Sequence, residues 1–453
     1  MSKTNRRQFI SNAGASLAGL GLFSSFSSVS LRALAASLEG RENSAQDLNV
    51  VVFRAIGGMD STLGLHPWMG TQSLSVKDLF LTYNPMQDVL TRVAGTDISL
   101  GLSARCLAPF VNDMAVVRGV SMGASDIGHP AAIQYITSAR ASDTAPHMSS
   151  ELAQKLTKAE QFFIANSSFQ KTTKQNFSIL LTESFKTLDV SNLNQSQSDD
   201  LFSLYKKKDL AVNRYINLLK QQNKLSVFSD ALAEMQKITL NTNADTSYGS
   251  QSTTGEQTMF DEDIVLASLV AGLSRVAQID LIDESRNLDT HANHYLHAGY
   301  QTYRWQRIAR FLKALQSKNL LQKTLVVVLT EFNRSPGQNE NSGKDHNYTD
   351  NAIALFGGGI KGGTVIGDHQ LHVSSEKNPY SVWTGSFYDF NKQSVLPYST
   401  FNAESNVNAT QLPEHISLIR PENVWATILK QIDPRLVSQF SVEPKTFKNL
   451  FKA

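Results

Sequence analysis

The sequence has one cysteine, Cys106, in 453 residues, so no intramolecular disulfide can form; the fold must be held by core packing, with a metal as the other available aid. It has no long basic stripe: 42 Lys and Arg stand against 40 Asp and Glu, which leaves no electrostatic footprint for nucleic acid. It has no internal repeat. It also lacks a phosphate-binding glycine loop. The glycines of LFGGGIKGGTVIG, Gly357 to Gly359 and Gly362-Gly363, are not followed by Lys-Ser/Thr at Walker spacing, nor by an acid at dinucleotide spacing. They read as tight turns between a strand and a β-hairpin. What remains is 41% hydrophobic and 18% charged, a globular composition long enough for one large domain with insertions, or for two.

The first 35 residues stand apart. They begin with a basic stretch containing Arg6-Arg7, continue through a weakly apolar run rich in Gly, Ala and Ser, and end in the small-residue signature Ala33-Leu34-Ala35. That order predicts a secretory signal over 1–35, and Arg6-Arg7 followed by Gln8-Phe9-Ile10 resembles the twin-arginine export box, with Asn5 in place of the usual Ser or Thr. A bilayer-crossing helix needs about 20 apolar residues, and the Ser and Gly content argues against one here. The expectation is a periplasmic or extracellular protein, with the twin-arginine translocase as a transient partner and no stable transmembrane segment. Removing the signal takes away Lys3, Arg6, Arg7 and Arg32, leaving 38 basic and 40 acidic residues, net −2.

Several segments read as buried strands followed by helices, the pattern of an α/β fold with a doubly wound, largely parallel sheet. LNVVVFRAI (48–56) is the first, and MAVVRGV (114–120), leading into HPAAIQYITSAR, is the second. QIDLIDES (278–285) follows a helical run, IVLASLVAGLSRVA, and precedes the amphipathic YQTYRWQRIARFLKALQ. TLVVVLTEF (324–332) and AIALFGG (352–358) close the series. Residues 190–258 read as a helical insertion or cap that ends in the low-complexity stretch 241–258. The tail after 370, with Tyr380, Trp383 and Tyr388, reads as irregular apart from a final helix near ENVWATILKQI. The mature chain, 36–453, is then one α/β domain carrying that insertion.

Open parallel sheets place their sites at the carboxyl ends of the strands, and acids and histidines gather there. Asp60 follows the first strand, and Ser125, Asp126 and His129 follow the second. Asp289, His291, His294 and His297 come after the third; Glu331 ends the fourth, and Asp345-His346 precede the fifth. Each has a plainer alternative. Asp60 is a turn residue or a ligand; His294 and His297 are surface residues opening a helix or ligands; Asp345-His346 is a solvated loop or part of a site. Glu331, directly after VVVLT, is costly to bury unless paired or metal-bound. Taken jointly, a mixed oxygen and nitrogen set suits zinc, manganese or a similar divalent ion better than a sulfur-rich structural site does.

The twin-arginine start, GGMD at 57–60, DTH near 289, TEFNRS at 330–335, KDH at 344–346 and GGGIKGGTVIG together resemble the bacterial domain of unknown function 1501, over roughly 48–370. That family is in turn similar to the alkaline phosphatase and sulfatase superfamily, which implies divalent metal at the carboxyl edge of an alkaline phosphatase-like sheet. The resemblance makes Asp60 a metal ligand. It makes Ser125 the candidate nucleophile, because SMGASDIGHPAAIQYITSAR is similar to the nucleophile segment of cofactor-independent phosphoglycerate mutases. Two departures stand out. Asn293 occupies the position of the superfamily's histidine four residues after Asp289, leaving His291 or His294 as the nitrogen ligand, and Glu331-Phe332 stands where Asp-His is usual.

Two functions follow as expectations. One is an exported metal-dependent hydrolase of phosphate or sulfate esters on small molecules or polymers. Its catalytic residues would be Ser125, or an activated water in its place, and Arg334 as anion binder; Arg334 otherwise pairs with Glu331 or Asp345. Asp60, Asp289, His291, Glu331 and His346 would hold one or two ions of zinc, manganese or calcium. The other is a non-catalytic secreted scaffold or binding protein that keeps the fold; Asp126 beside Ser125 favours it, since added negative charge opposes an anionic substrate. A phosphomutase is a third reading, which export away from sugar phosphates opposes. Convergence of Asp60, Ser125, Asp289, Glu331 and His346 separates the first two.

Overall fold

The computed structural model describes residues 48–68, 81, 93–123, 128–158, 160–166, 178–181, 210–237, 260–373, 381–396 and 412–452. The signal at 1–35, the Ser125-Asp126 pair, Tyr380 and the low-complexity stretch 241–258 lie outside these.

The apolar runs become the centre of the molecule. β1 (Asn49–Ala55) lies between β5 (Ser274–Asp280) and β6 (Thr324–Thr330) and is parallel to both. Valine is the commonest residue in these strands because both faces are covered, and β-branched side chains pack well on a pleated surface. Alternation decides which face each residue serves: Val51, Phe53 and Ala55 enter one hydrophobic cluster, Val50 and Val52 the other.

The whole sheet has eight strands in the order β10, β2, β9, β6, β1, β5, β3, β4. Here β2 is Met114–Val117, β3 Phe162–Ala165, β4 Ser178–Leu181, β9 Ile353–Phe356 and β10 Thr364–Ile366. Only β9 runs against its neighbours, β2 and β6; the other five pairings are parallel. Seven strands therefore end at one edge, and the chain enters β9 from that same edge.

Helices cover both faces, as a doubly wound sheet requires. On one face lie α1 (Gly128–Ser138), α2 (Met148–Leu156) and α7 (Pro421–Ile432). On the other lie α3 (Leu210–Gln221), α4 (Leu225–Lys237), α5 (Asp261–Val270) and α6 (His297–Ser317). Buried ion pairs fix α6 on α5: Arg307 meets Glu262 through two bonds of 2.9 and 2.6 Å, and Arg310 meets Asp263 at 2.5 Å. Among the described residues, no helix is long and apolar enough to cross a membrane.

The structure departs from the sequence reading in several places. SRVA belongs to β5, not to the preceding helix, which stops at Val270 because Gly272 takes a left-handed φ of 68° that breaks the helical path. AIALF does not close the sheet: the glycine turns after it lead to β10, which pairs in parallel with β2 instead of forming a hairpin. Strands β3 and β4 were not legible, being four residues each. The tail is more regular than its composition suggests, with β11 (His369–Val373) and β12 (Ser381–Gly385) forming a hairpin and Trp383 buried under it. Helices α3 and α4, read from sequence as part of an insertion or cap, bury Tyr215, Leu219, Phe228 and Met235 in the main core, and the Tyr215 hydroxyl donates to Ser268 on α5 at 2.7 Å.

Phe311 on α6 meets Phe53 of β1 edge to face at 5.3 Å between ring centroids, both fully buried. Phe311→Ala is expected to cost about 3–5 kcal/mol, read from urea unfolding, because the lost ring leaves a cavity in close-packed surroundings. A change below about 1 kcal/mol would contradict this placement of α6.

Candidate functional site

The paired glycines after β1 turn the chain at positive φ, 106° at Gly57 and 79° at Gly58. A Cβ on Gly57 would fall 2.9 Å from the Asp289 nitrogen, so the β1 exit and the β5 exit touch through backbone alone. The β6 exit supplies Glu331, Phe332 and then β7 (Asn333–Arg334), which pairs with β8 (His346–Asn347) so that Arg334 faces His346. Gly343, just before β8, lets its loop lie directly on the His291 carbonyl, where a Cβ would collide. The Lys344 N–H donates to Thr290 O at 3.1 Å and the His294 N–H to Ser342 O at 2.9 Å, stitching the two loops together. Four chain segments thus meet at the carboxyl edge of the sheet.

Their side chains converge on one carboxylate oxygen. Asp289 Oδ1 lies 3.2 Å from His291 Nε2, 3.3 Å from His129 Nε2 and 3.7 Å from His346 Nε2, and the Nε2 atoms of His291 and His346 face each other at 2.8 Å. A tetrahedral ion with ligand bonds of about 2.0–2.1 Å holds its ligand atoms roughly 3.3 Å apart. The observed spacings bracket that edge length, and all four ligand atoms lie within 4.8 Å of one another. The four residues are half-buried, so the group opens toward solvent.

The outer nitrogens are held as metal-binding histidines require. His129 Nδ1 meets Glu331 Oε1 at 2.8 Å, His291 Nδ1 meets Asp345 Oδ1 at 3.0 Å, and His346 Nδ1 meets the Tyr348 hydroxyl at 2.7 Å. In each case the nitrogen facing Asp289 is Nε2. The hydrogen bond to Glu331 raises the pKa of His129, outweighing its burial, and the charges of Glu331 and Asp289 add to the rise. Burial, then the charges of Arg334, His129 and His291, lower His346 to about 4. At Asp289 burial acts upward, but the bond and charge from Arg334 prevail and hold the carboxyl below its ordinary range.

Of the residues proposed from sequence as metal ligands, the structure brings Asp289, His291 and His346 together. Glu331 lies behind the cluster, fully buried: Oε1 accepts from the Gly57 N–H and orients His129, while Oε2 has no hydrogen-bond partner among the described residues. Asp60 lies apart from the cluster. Its Oδ2 accepts from Lys344 Nζ at 2.7 Å and meets His294 Nε2 at 3.0 Å, and its Oδ1 accepts from the Thr62 N–H and hydroxyl. Burial acts to raise the Asp60 pKa, but the Lys344 charge and the His294 contacts carry it well below the ordinary value.

Arg334 is fully buried, and its partner is Asp289 at 2.7 Å, not Glu331 or Asp345. It also donates to the backbone oxygens of Gly57, Gly58, Leu288 and Lys344. An arginine so buried positions the loops and presents no exposed edge to a substrate anion. Ser125 lies outside the described residues.

His294 and His297, read from sequence as surface residues or ligands, are fully buried, stacked at 4.4 Å beside Asp60. Two participants escaped the sequence reading: His129 as a member of the cluster, whose only signal was its place after the second strand, and Lys344 as the partner of Asp60, which no local pattern marks.

Two expectations follow. Gly343→Ala is expected to force the 343–345 loop off His291, splitting His291 from His346 and costing about 1–3 kcal/mol in urea unfolding; an unchanged urea midpoint would contradict the close approach. Burial also lowers the pKa of His66, His147 (to about 3), His294 (to about 4) and His297. Between about pH 6.5, where unfolded histidine titrates, and about pH 4 the unfolded chain binds protons that the fold does not, so stability is expected to fall as pH falls, by up to about 1.4 kcal/mol per pH unit for each such group. A urea midpoint unchanged from pH 7 to pH 4.5 would contradict their neutral burial.

Comparison with known proteins follows from this geometry. Among solved structures, the lipoteichoic acid synthase LtaP from Listeria monocytogenes is 8% identical, with 71% of this chain and 68% of that chain covered and a TM-score of 0.32. The PsFucS1 sulfatase from Pseudoalteromonas sp. is 8% identical over 72% and 68% of the two chains, with a TM-score of 0.29. The alkaline phosphatase from the Antarctic bacterium TAB5 is 12% identical over 70% and 94%, with a TM-score of 0.28. No curated protein matches the sequence. Residues 181–384 match the family described as Protein of unknown function (DUF1501). The DTH, TEFNRS, KDH and GGGIKGGTVIG segments all lie inside that span, while GGMD lies before it. That match covers less than half of the chain, and over residues 181–384 the chain is similar to DUF1501.

Proposed function

We propose that this chain is an exported metal-dependent hydrolase of phosphate or sulfate esters, whose single metal site is built from His129, Asp289, His291 and His346. The observation that carries the reading is the convergence of three imidazole Nε2 atoms on Asp289 Oδ1 at tetrahedral spacing, each imidazole oriented from behind by its own partner. Three nitrogens and one carboxylate oxygen suit zinc, with manganese less well served; calcium, which takes six to eight oxygens, does not fit the set. Four protein ligands fill a tetrahedral ion, so a divalent ion bound there would polarise an ester oxygen by taking it as a fifth ligand.

The residues around the site do the remaining work. Glu331 holds His129 with Nε2 turned toward Asp289, and Arg334 both fixes Asp289 and keeps it ionised. Phe332 packs its ring 4.1 Å from that of His346 and limits how the imidazole can turn. Ser125 precedes His129 by four residues, which keeps it the candidate nucleophile. Export through the twin-arginine route, to the periplasm or beyond, belongs to this proposal and rests on Arg6-Arg7 and the run that follows.

One observation favours a second reading. Arg334 is fully buried and makes five bonds to the protein, so the exposed anion-binding arginine expected of such a hydrolase is missing from that position. A metal-binding protein without ester turnover would look the same.

Elemental analysis of the purified mature protein beside His291→Ala separates the outcomes, followed by p-nitrophenyl phosphate and sulfate assays. The hydrolase reading expects near-stoichiometric zinc or manganese that the variant loses, together with ester turnover that Ser125→Ala abolishes without unfolding the chain. Metal without turnover would leave the binding protein. No metal in the parent would remove the proposal.

A further inference from the structure

The pocket around Asp60 contains the ingredients of a second metal site: a buried carboxylate at the end of the first strand and two buried imidazoles, His294 and His297. Its hydrogen bonds show why it is not one. The Asp60 N–H is shared between Gln301 Oε1 at 2.9 Å and His297 Nε2 at 3.2 Å, which makes that nitrogen an acceptor facing the Asp60 backbone. With Nε2 an acceptor, the proton of His297 sits on Nδ1 and is donated to Thr290 Oγ1, 2.9 Å away. Thr290 then gives its own hydroxyl proton to His294 Nδ1 at 2.8 Å, which places the remaining proton of His294 on Nε2, facing Asp60 Oδ2 at 3.0 Å. This assignment serves the bonds to Thr290 and Asp60 and leaves His297 Nε2 3.1 Å from the Gln301 carbonyl oxygen; in it His294 turns a proton, not a lone pair, toward Asp60, and the lone pair of His297 faces the Asp60 N–H.

The charge is settled as well. Lys344 Nζ sits 2.7 Å from Asp60 Oδ2 and is almost fully buried. Its backbone cannot easily withdraw, since its carbonyl accepts from Arg334 and its N–H donates to Thr290 O. A divalent ion entering this pocket would have to drive a buried ammonium off its only charge partner among the described residues and into a region already occupied by Arg334 and the imidazoles.

We infer that the centre is mononuclear, with the Lys344 ammonium built in as a fixed cation beside Asp60 where a second ion would otherwise sit. The inference rests on the metal reading given above and deepens it. The protein carries one exchangeable cation, at His129, Asp289, His291 and His346, and one permanent cation, which no chelator removes. Asp60 is then a structural anion, held ionised to complement Lys344.

The test is metal stoichiometry on the full mature chain, titrated with zinc, for the parent, Asp60→Asn and His291→Ala. The inference expects one equivalent in the parent, one in Asp60→Asn and none in His291→Ala. Two equivalents in the parent, falling to one in Asp60→Asn, would overturn it while leaving the His129 cluster as a metal site. None in the parent would overturn the metal reading itself. Should Asp60→Asn fail to fold, zinc-edge X-ray absorption on the zinc-loaded parent decides alone. Paired ions of a two-metal site lie about 3.5–4 Å apart; a zinc–zinc scattering shell at that distance would overturn the inference, and a single zinc with nitrogen and oxygen neighbours only is the result expected.

Discussion

The site depends on one buried guanidinium. Arg334 reaches the backbone oxygens of Gly57 and Gly58 after the first strand, Leu288 after the fifth and Lys344 before β8, and it ends on the Asp289 carboxylate. A fully buried charge is tolerable only when paired and hydrogen-bonded throughout, and satisfying this one brings three separate loops to a common point. The paired glycines of GGMD follow from the same constraint, since a side chain at Gly57 would collide with Leu288 and Asp289. The aspartate of that motif serves its own neighbour, Lys344, one layer away.

Two charge systems therefore stand side by side. In the inner one, Asp60 and Lys344 cancel each other beneath neutral His294 and His297. In the outer one, Asp289, paired with Arg334, faces three imidazoles whose far nitrogens are anchored on Glu331, Asp345 and Tyr348. The inner system is sealed, with its two charges paired to each other. The outer system is half-exposed and keeps its Nε2 atoms clustered about one oxygen, the arrangement open to a ligand.

Much of the fold was legible because both faces of the central strands are covered: VVVF and LVVVL have no polar face and can only be interior. β3 and β4 were not, because four-residue strands at the far side of the sheet leave no periodic signature. At the site, position after a strand pointed to Asp289, His291 and His346, since strand order alone delivers them to the carboxyl edge. Asp60 was assigned by the same rule and went to a different partner, because the identity of Lys344 as its neighbour is a tertiary fact set by the β7–β8 pairing and the loop before it. Arg334 could be seen as important from sequence; that it faces inward onto four carbonyls could not.

The central claim is that the Nε2 atoms of His129, His291 and His346 and one oxygen of Asp289 hold a single ion. The most direct measurement is anomalous diffraction at the zinc edge from crystals of the protein soaked in zinc. The account predicts one strong peak about 2.0–2.1 Å from the three Nε2 atoms, with no peak beside Asp60. A peak between Asp60 and His294, or density showing the three imidazoles turned away from one another with zinc present, would contradict it.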